Sequence, residues 1–296
     1  MIKLQRLNEG PVLAQVPEAA LQMPGRLRPL LQIGLCGMRV ARCSELVLQF
    51  HDEQPSEHAL CFDAPLSGSA ELLIPDAYCL GSSGFTAIRS MFHAQPLPPW
   101  QERLPLAFWR GSTTGTKHLT PATITDLPRY RLCRTTHQIP HLLDARFTHV
   151  VQASDAGAFE ALQRQLSAAD LITAPVSPWH FGLHRWIVEI DGNVNSWGTL
   201  WKLLSGSCLL RVRSNRQQWF HRRLIDYEHL VPVKSDLSDL VSQLQWCRAN
   251  LAVCEHIADK GKTLARQVVD ELGLDLLNGL RNWLQQAVNR DGRHPG

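Results

Sequence analysis

Two short polar stretches interrupt apolar sequence in ways that suit phosphate chemistry. Arg110-Gly111-Ser112-Thr113-Thr114-Gly115 follows the apolar start of the segment Leu106–Lys117. An arginine offers a bidentate fork to a phosphate, and neighbouring glycines let backbone donors come close. Asp191-Gly192-Asn193-Val194-Asn195-Ser196 follows the strand-like run Arg185–Ile190 and precedes a Trp- and Leu-rich helical pattern. Backbone N–H groups, a helix dipole and small side chains at such a junction can hold a phosphate or sugar hydroxyls. On its local sequence alone the second stretch also reads as a plain capped turn, with Asn195 or Ser196 as the N-cap. Neither stretch is a Walker loop or a G-x-G-x-x-G fingerprint. Two such loops in one α/β domain suggest a nucleotide or nucleotide-sugar site.

The elements that must position these loops follow from periodicity. Trp197, Leu200, Trp201 and Leu204 occupy i, i+3, i+4 and i+7, one buried stripe of a helix. Ser205-Gly206 ends that helix, and Cys208–Val212 reads as the next strand, completing a βαβ unit. Asp155–Asp170 has helical spacing. His229–Asn250 reads as strand, turn and helix, with Ser235 or Ser238 as cap and Leu237, Leu240, Val241 and Leu244 at helical spacing. Helices continue to about Val288. In the first half, Glu45–Pro55 reads as a strand ending in a polar turn. Glu71–Phe85 reads as a strand stopping at Pro75-Asp76 and then a Gly/Ser loop, and 120–150 reads as irregular with a short strand at its end. Ala94–Pro105, with four prolines, is the best linker. The alternation in the second half predicts a doubly wound α/β sheet.

Composition narrows the function classes. The 296 residues are 44% hydrophobic and 19% charged, with a net charge of +3, so nothing forces a nucleic-acid reading. The densest basic group, His221-Arg222-Arg223, suits a solvated helix face. The N-terminus lacks an apolar signal core, and no run reaches the roughly 20 residues that span a bilayer. A cytoplasmic protein is expected, with at most a peripheral place at the inner membrane. Eight cysteines without C-x-x-C spacing read as buried thiols. The four-apart pairs His137/His141 and His180/His184 are interrupted by Pro140 and Gly182, so they read as surface or loop histidines rather than metal ligands.

"AFWRGSTTG", "LLDARFT", "IDGN–SWGTLWKLLSGSCLLRV" and "LVPVKSDLSDL" together resemble the Rumi-type glycosyltransferases, glycosyltransferase family 90. That family holds protein O-glucosyltransferases and microbial capsule- and lipopolysaccharide-modifying enzymes. The resemblance covers roughly residues 45 to 265 and is most specific in its second half. It implies an α/β, GT-B-like fold of two Rossmann-like domains facing a cleft: an acceptor-side domain over 1–100, a nucleotide-sugar domain over 101–265, and helices and a tail over 266–296. It implies transfer from a UDP-sugar with inversion, to a hydroxyl on a glycan, a lipid-linked glycan or a protein, in cell-surface polysaccharide or lipopolysaccharide modification. Carried over by position, donor binding falls to Arg110, Gly111, Ser112, Asp191, Gly192, Asn195, Ser196, Lys202 and Ser205. "LVLQFHDEQP" fits the frame of the family's catalytic strand-end motif and puts Asp52 at the general base, with His51 and Glu53 as neighbours. Animal members have an arginine where this chain has Gly198, so Lys202 or Arg213 is expected to supply the missing charge.

The expected chemistry needs one carboxylate to take the acceptor proton and cations to stabilise the leaving diphosphate. No D-x-D occurs, Glu189-Ile190-Asp191 being the nearest imitation, so no metal cofactor is expected. A non-catalytic nucleotide-sugar or glycan-binding protein of the same fold is the rival, and Gly198 is its best argument. A kinase or dehydrogenase is disfavoured by the missing fingerprints.

Overall fold

A computed structural model of the chain describes residues 1–7, 11–50, 59–68 and 70–291. In chain order the main strands are β1 (Ile2–Arg6), β2 (Val12–Gln15), β3 (Glu45–Leu48), β4 (Leu104–Ser112), β5 (Leu143–His149), β6 (His184–Glu189), β7 (Cys208–Val212) and β8 (Val231–Val233). The main helices are α1 (Pro24–Ala41), α2 (Ala77–Gly81), α3 (Thr86–Ala94), α4 (Pro128–Gln138), α5 (Ala156–Ala168), α6 (Thr199–Leu204), α7 (Leu240–Ala249), α8 (Leu251–Asp270) and α9 (Leu272–Asp291). The chain forms two compact units. One comprises 1–86, 215–222 and 267–296, the other 87–214 and 223–266.

The first unit carries a three-stranded antiparallel sheet in the order β2-β1-β3. Leu4 pairs with Leu46 and Ile2 with Leu48, which puts buried side chains opposite one another. Parallel bridges from Leu48 to Leu60 and from Cys61 to Leu73 continue it. Helix α1 lies close on the sheet because Gly34 has no side chain: a Cβ there would sit 2.2 Å from the Leu4 Cδ1. The Gly/Ser loop expected after Pro75-Asp76 is a turn over 82–85, but helix α2 comes before it. Asp76 caps the helix, its Oδ1 accepting from the Tyr78 and Cys79 amides at 2.8 and 2.9 Å. An aspartate before a short run is an N-cap signal that the following serines and glycines obscure.

The second unit is built on a five-stranded, wholly parallel sheet in the order β8-β7-β6-β4-β5. Counted within the unit, that is the doubly wound order 2-1-3-4-5. The sheet's order reverses between β4 and β6, and such a switch point opens a crevice at the strands' carboxyl ends. The core under the sheet gathers Trp109, Ala145, Phe147, Trp186, Val188, Leu210 and Val231 with Leu132, Leu162 and Leu166 of the covering helices. The fold class is therefore α/β.

Several local expectations shift. The region 120–150 is not irregular: α4 occupies much of it, started by a proline that needs no amide partner at the first helical position. Few apolar residues mark it, because only Leu132, Cys133 and Thr136 are buried. Helix α6 begins at Thr199, so Trp197 stands outside it, and its N-cap is Gly198 with no side-chain cap rather than Asn195 or Ser196. Asp239, not Ser235 or Ser238, occupies the N-cap of α7. His184 is no loop histidine. It is buried in β6, stacked on Phe108 with ring centroids 4.1 Å apart. Six cysteines are buried, whereas Cys36 is exposed. No helix among the described residues is long and apolar enough to cross a membrane.

Candidate functional site

The two polar loops leave neighbouring strands of the second unit at the switch point, one from β4 and the other from β6. A single side chain stitches them together. Arg129, in the first turn of α4, donates from Nη1 to the Ser112 carbonyl at 3.0 Å and to the Thr114 Oγ1 at 2.5 Å. Its Nε donates to the Asp191 carbonyl at 2.9 Å and its Nη2 to the Ile190 carbonyl at 3.1 Å. The guanidinium also lies 5.6 Å from the Trp109 ring. Burial lowers its pKa to about 10, with Glu189 and Asp191 pulling the other way, so it stays charged at neutral pH. Among the described residues no carboxylate forms an ion pair with it.

Other contacts tighten the same junction. The Gly115 amide donates to the Asn193 Oδ1 at 2.9 Å. Gly115 has a φ of +142°, which favours glycine. At Gly192 a Cβ would meet the Thr114 Oγ1 at 2.3 Å and the Arg129 Nη2 at 3.1 Å, so only a glycine lets the loops approach this closely. Thr113 ties the β4 loop to the next strand's end, exchanging hydrogen bonds with the Val151 carbonyl at 2.9 Å and amide at 2.8 Å. Gly111, Ser112, Asp191, Gly192, Asn195 and Ser196 are thus brought to one crevice edge. Asp191 folds back on its own loop, its Oδ1 accepting from the Ser196 amide at 3.2 Å. Burial raises its pKa, opposed by Ser214 and Arg211. Asn195 is buried.

The expected cations are engaged elsewhere. Arg110 Nη1 and Nη2 donate to the two Asp144 carboxylate oxygens at 3.0 and 2.7 Å. Its guanidinium lies 4.2 Å from the Phe108 ring centroid. Asp144 also pairs with Arg146, which reaches Asp170 at 2.9 Å, so Arg110 begins a chain of alternating charges. Lys202 is buried and ion-paired with Glu189, whose other oxygen accepts from the Thr199 Oγ1 at 2.6 Å. Arg213 pairs with Asp226. A Cβ at Gly198 would lie 3.2 Å from the Lys202 Cε, so the lysine stem fills the space where the family's arginine would begin. Ser205 is buried at the end of α6, its Oγ donating to the Lys202 carbonyl at 2.6 Å. That end of the helix faces the amino ends of the strands, away from the loops. Asp52, His51 and Glu53 lie outside the described residues.

Arg129 carried no signal in the sequence beyond its place after a helix-starting proline. Glu189 stood out only as half of an imperfect metal motif, and it serves instead as the buried partner of Lys202. Among the described residues no three His, Cys, Asp or Glu side chains gather as a metal site.

Comparison with known proteins finds a family match that falls chiefly on this unit. The model of the family described as glycosyl transferase family 90 matches residues 85–272. The uncharacterized protein 035R of Invertebrate iridescent virus 3 is 29% identical over 208 residues, covering 66% of this chain and 17% of the viral protein. The human protein O-glucosyltransferase 3 is 26% identical over 172 residues, covering 58% of this chain and 30% of that protein. The chain thus spans less than a third of the length of either relative. The crystal structure of the Anabaena protein HepE in complex with UDP-glucose superposes with a TM-score of 0.42 at 10% identity, over 69% of this chain and 53% of that one. The family match takes in the whole parallel sheet and both stitched loops, more than half of the sequence, and the chain belongs to glycosyl transferase family 90.

Proposed function

We propose that this protein is an inverting, UDP-sugar-dependent glycosyltransferase of GT-B type, with the second unit as its nucleotide-sugar half. The observation that carries this is the pair of loops fastened together by Arg129 at the switch point, where doubly wound sheets bind nucleotides. The diphosphate lies against Gly111–Ser112 and Asp191–Ser196, in the field of a guanidinium that grips carbonyls rather than carboxylates. Arg110 and Lys202 act one step back, holding the strands and α6 through Asp144 and Glu189. Asp52 is the general base. The acceptor oxygen bonds to the anomeric carbon as that carbon's bond to the phosphate oxygen breaks, UDP leaves with the electron pair, and Asp52 takes the hydroxyl proton. The charge at the diphosphate comes from protein groups, with no metal. The acceptor is a hydroxyl of a surface polysaccharide or lipopolysaccharide, modified on the cytoplasmic side, in keeping with the microbial members of the family.

The test is a panel of UDP-sugars scored for UDP release, with and without glycan acceptors, for the parent protein and Asp52→Asn. The parent releases UDP from one donor, insensitively to chelator. The asparagine variant binds UDP but transfers about 10²–10⁴-fold more slowly. Parent-rate transfer by Asp52→Asn, or activity abolished by chelator and restored by manganese, overturns the assignment. A second reading, a binding protein that does not transfer, draws on the pairing of Arg110 and Lys202 with carboxylates. It predicts UDP-sugar binding without UDP release from any donor.

A further inference from the structure

A cavity of about 440 Å³ opens at the other edge of the second unit, lined by Trp100, Arg103, Gly206, His256, Asp259 and Lys262 among others. Arg103 directly precedes β4 and Gly206 lies just before β7, so the cavity sits at the amino ends of the strands. The switch-point loops leave the opposite ends. One helix face supplies its far wall: 252, 255, 256, 259 and 262 fall at helical spacing along α8.

Two cations converge there on a glycine. Gly206 ends α6 with a φ of +72°. A Cβ on it would lie 3.5 Å from the Lys262 Nζ and 3.7 Å from the Arg103 Nη2. Arg103 is 8% exposed and is fixed from behind. Its Nε donates to the Pro98 carbonyl at 3.0 Å and its Nη1 to the Ser207 Oγ at 3.2 Å, which leaves Nη2 toward the cavity. Neither Arg103 nor Lys262 forms an ion pair among the described residues. The lining also carries two acids: Asp259, which acts on Lys262, and Glu255, which accepts from the Gln101 side chain at 2.8 Å, while Arg266 adds a further positive charge near Lys262. Burial, then Arg266 and Arg103, depresses the Lys262 ammonium, with Asp259 pulling the other way.

We propose that this cavity binds a phosphate monoester, its dianion bridging Arg103 and Lys262 and its carbon skeleton lying along Trp100. The space is at the scale of small-molecule sites, roughly 300–1,000 Å³, and far exceeds one phosphate ion. A fixed guanidinium beside an ammonium that forms no ion pair among the described residues suits a dianion better than a carboxylate. The site is separate from the donor loops and does not depend on the donor reading.

Titration calorimetry on the full chain with glucose 6-phosphate tests it, alongside flotation with phosphatidylcholine vesicles containing phosphatidic acid. Saturable binding of glucose 6-phosphate is expected, weakened about tenfold or more by Lys262→Met, the loss of one charge-assisted contact. Lys262→Arg retains it. Excess UDP does not displace it, and Arg129→Met, aimed at the donor loops, leaves it unchanged. Vesicle binding that Lys262→Met abolishes supports the site and assigns the phosphate to a lipid headgroup. Absence of both kinds of binding in the parent overturns the proposal. So does binding that Lys262→Met and Arg103→Lys, both folded by circular dichroism, leave at the parent level.

Discussion

Arg129, in the first turn of α4, and Arg110, in β4, use the same chemical fork in opposite ways. Arg110 grips a carboxylate, so its charge is cancelled where it sits and extended only as an alternating chain through Arg146 and Asp170. Arg129 grips carbonyls and a hydroxyl, so it fixes geometry and keeps its field. Lys202 belongs with Arg110, since Glu189 cancels it inside the protein. The lesson is that an arginine beside a Gly/Ser/Thr loop is not thereby free for a ligand: here its fork is filled by Asp144. Arg110 and Lys202 belong to a scaffold of ion-paired charges, whereas Arg129 is held by carbonyls and a hydroxyl and forms no ion pair among the described residues.

The sharpest way to break this contrast is to unbalance the scaffold. Glu189→Gln leaves the Lys202 ammonium buried without its counter-charge, and loss of about 3–5 kcal/mol of stability is expected. Glu189→Gln combined with Lys202→Met recovers most of it. Chemical denaturation of the single and double variants checks this, and additive losses would mean that the two residues do not act as a pair. The same unit holds His184, whose pKa burial lowers to about 4. The unfolded chain then binds a proton at this site that the folded chain refuses. Stability is full above roughly pH 6.5 and falls as pH drops toward 4, by on the order of 3 kcal/mol. His184→Gln should flatten that part of the profile, and an unaltered slope would assign the acid sensitivity to other groups.

The sequence made the βαβ unit around Asp191 legible because its strands carry short runs of buried apolar residues, Trp186–Val188 and Cys208–Leu210. Cys208–Val212 falls on β7 residue for residue. Helix α4 was not legible, since its buried face is three residues wide and includes a threonine. Helix α6 was read too long because Trp197 continues the spacing of Leu200 and Trp201 while lying in the preceding loop. The site divides in the same way. Loop composition pointed to Gly111, Ser112 and Asp191–Ser196, because glycines and small polar residues have local reasons to be there. The partners of Arg110, Lys202 and Arg129 were hidden, since Asp144 and the Ile190 carbonyl meet their arginines only through the sheet order, and Glu189 meets Lys202 only when α6 packs back on β6.

Arg129→Met keeps an aliphatic stem but removes four hydrogen bonds that span the two loops. UDP affinity should fall about 10–100-fold, which at 1.4 kcal/mol per factor of ten is the scale of one or two charge-assisted bonds. Some stability is lost with it, so the affinity is measured on protein shown to be folded. Guanidinium added in solution should partly restore binding, because the pocket for the fork remains. A folded Arg129→Met protein that binds UDP as tightly as its parent would show that the stitching is structural alone and that the diphosphate lies elsewhere.

The smallest expected effect is the most discriminating. Arg110→Lys preserves the charge beside the β4 loop and loses the two-point grip on Asp144. If Arg110 is scaffold, the cost is in stability, about 1–2 kcal/mol for a partly exposed pair that keeps its charges, and UDP affinity stays within about twofold. If Arg110 leaves Asp144 when the donor arrives, the ranking inverts: affinity drops about tenfold or more while stability hardly moves. The aspartate separates the two further. Asp144→Asn weakens the scaffold in the first case. In the second it frees the guanidinium and tightens UDP binding, because the carboxylate no longer competes with the diphosphate for the same fork. Both variants, measured by denaturation and by UDP titration at one pH and one salt concentration, decide which hand of the comparison Arg110 belongs to.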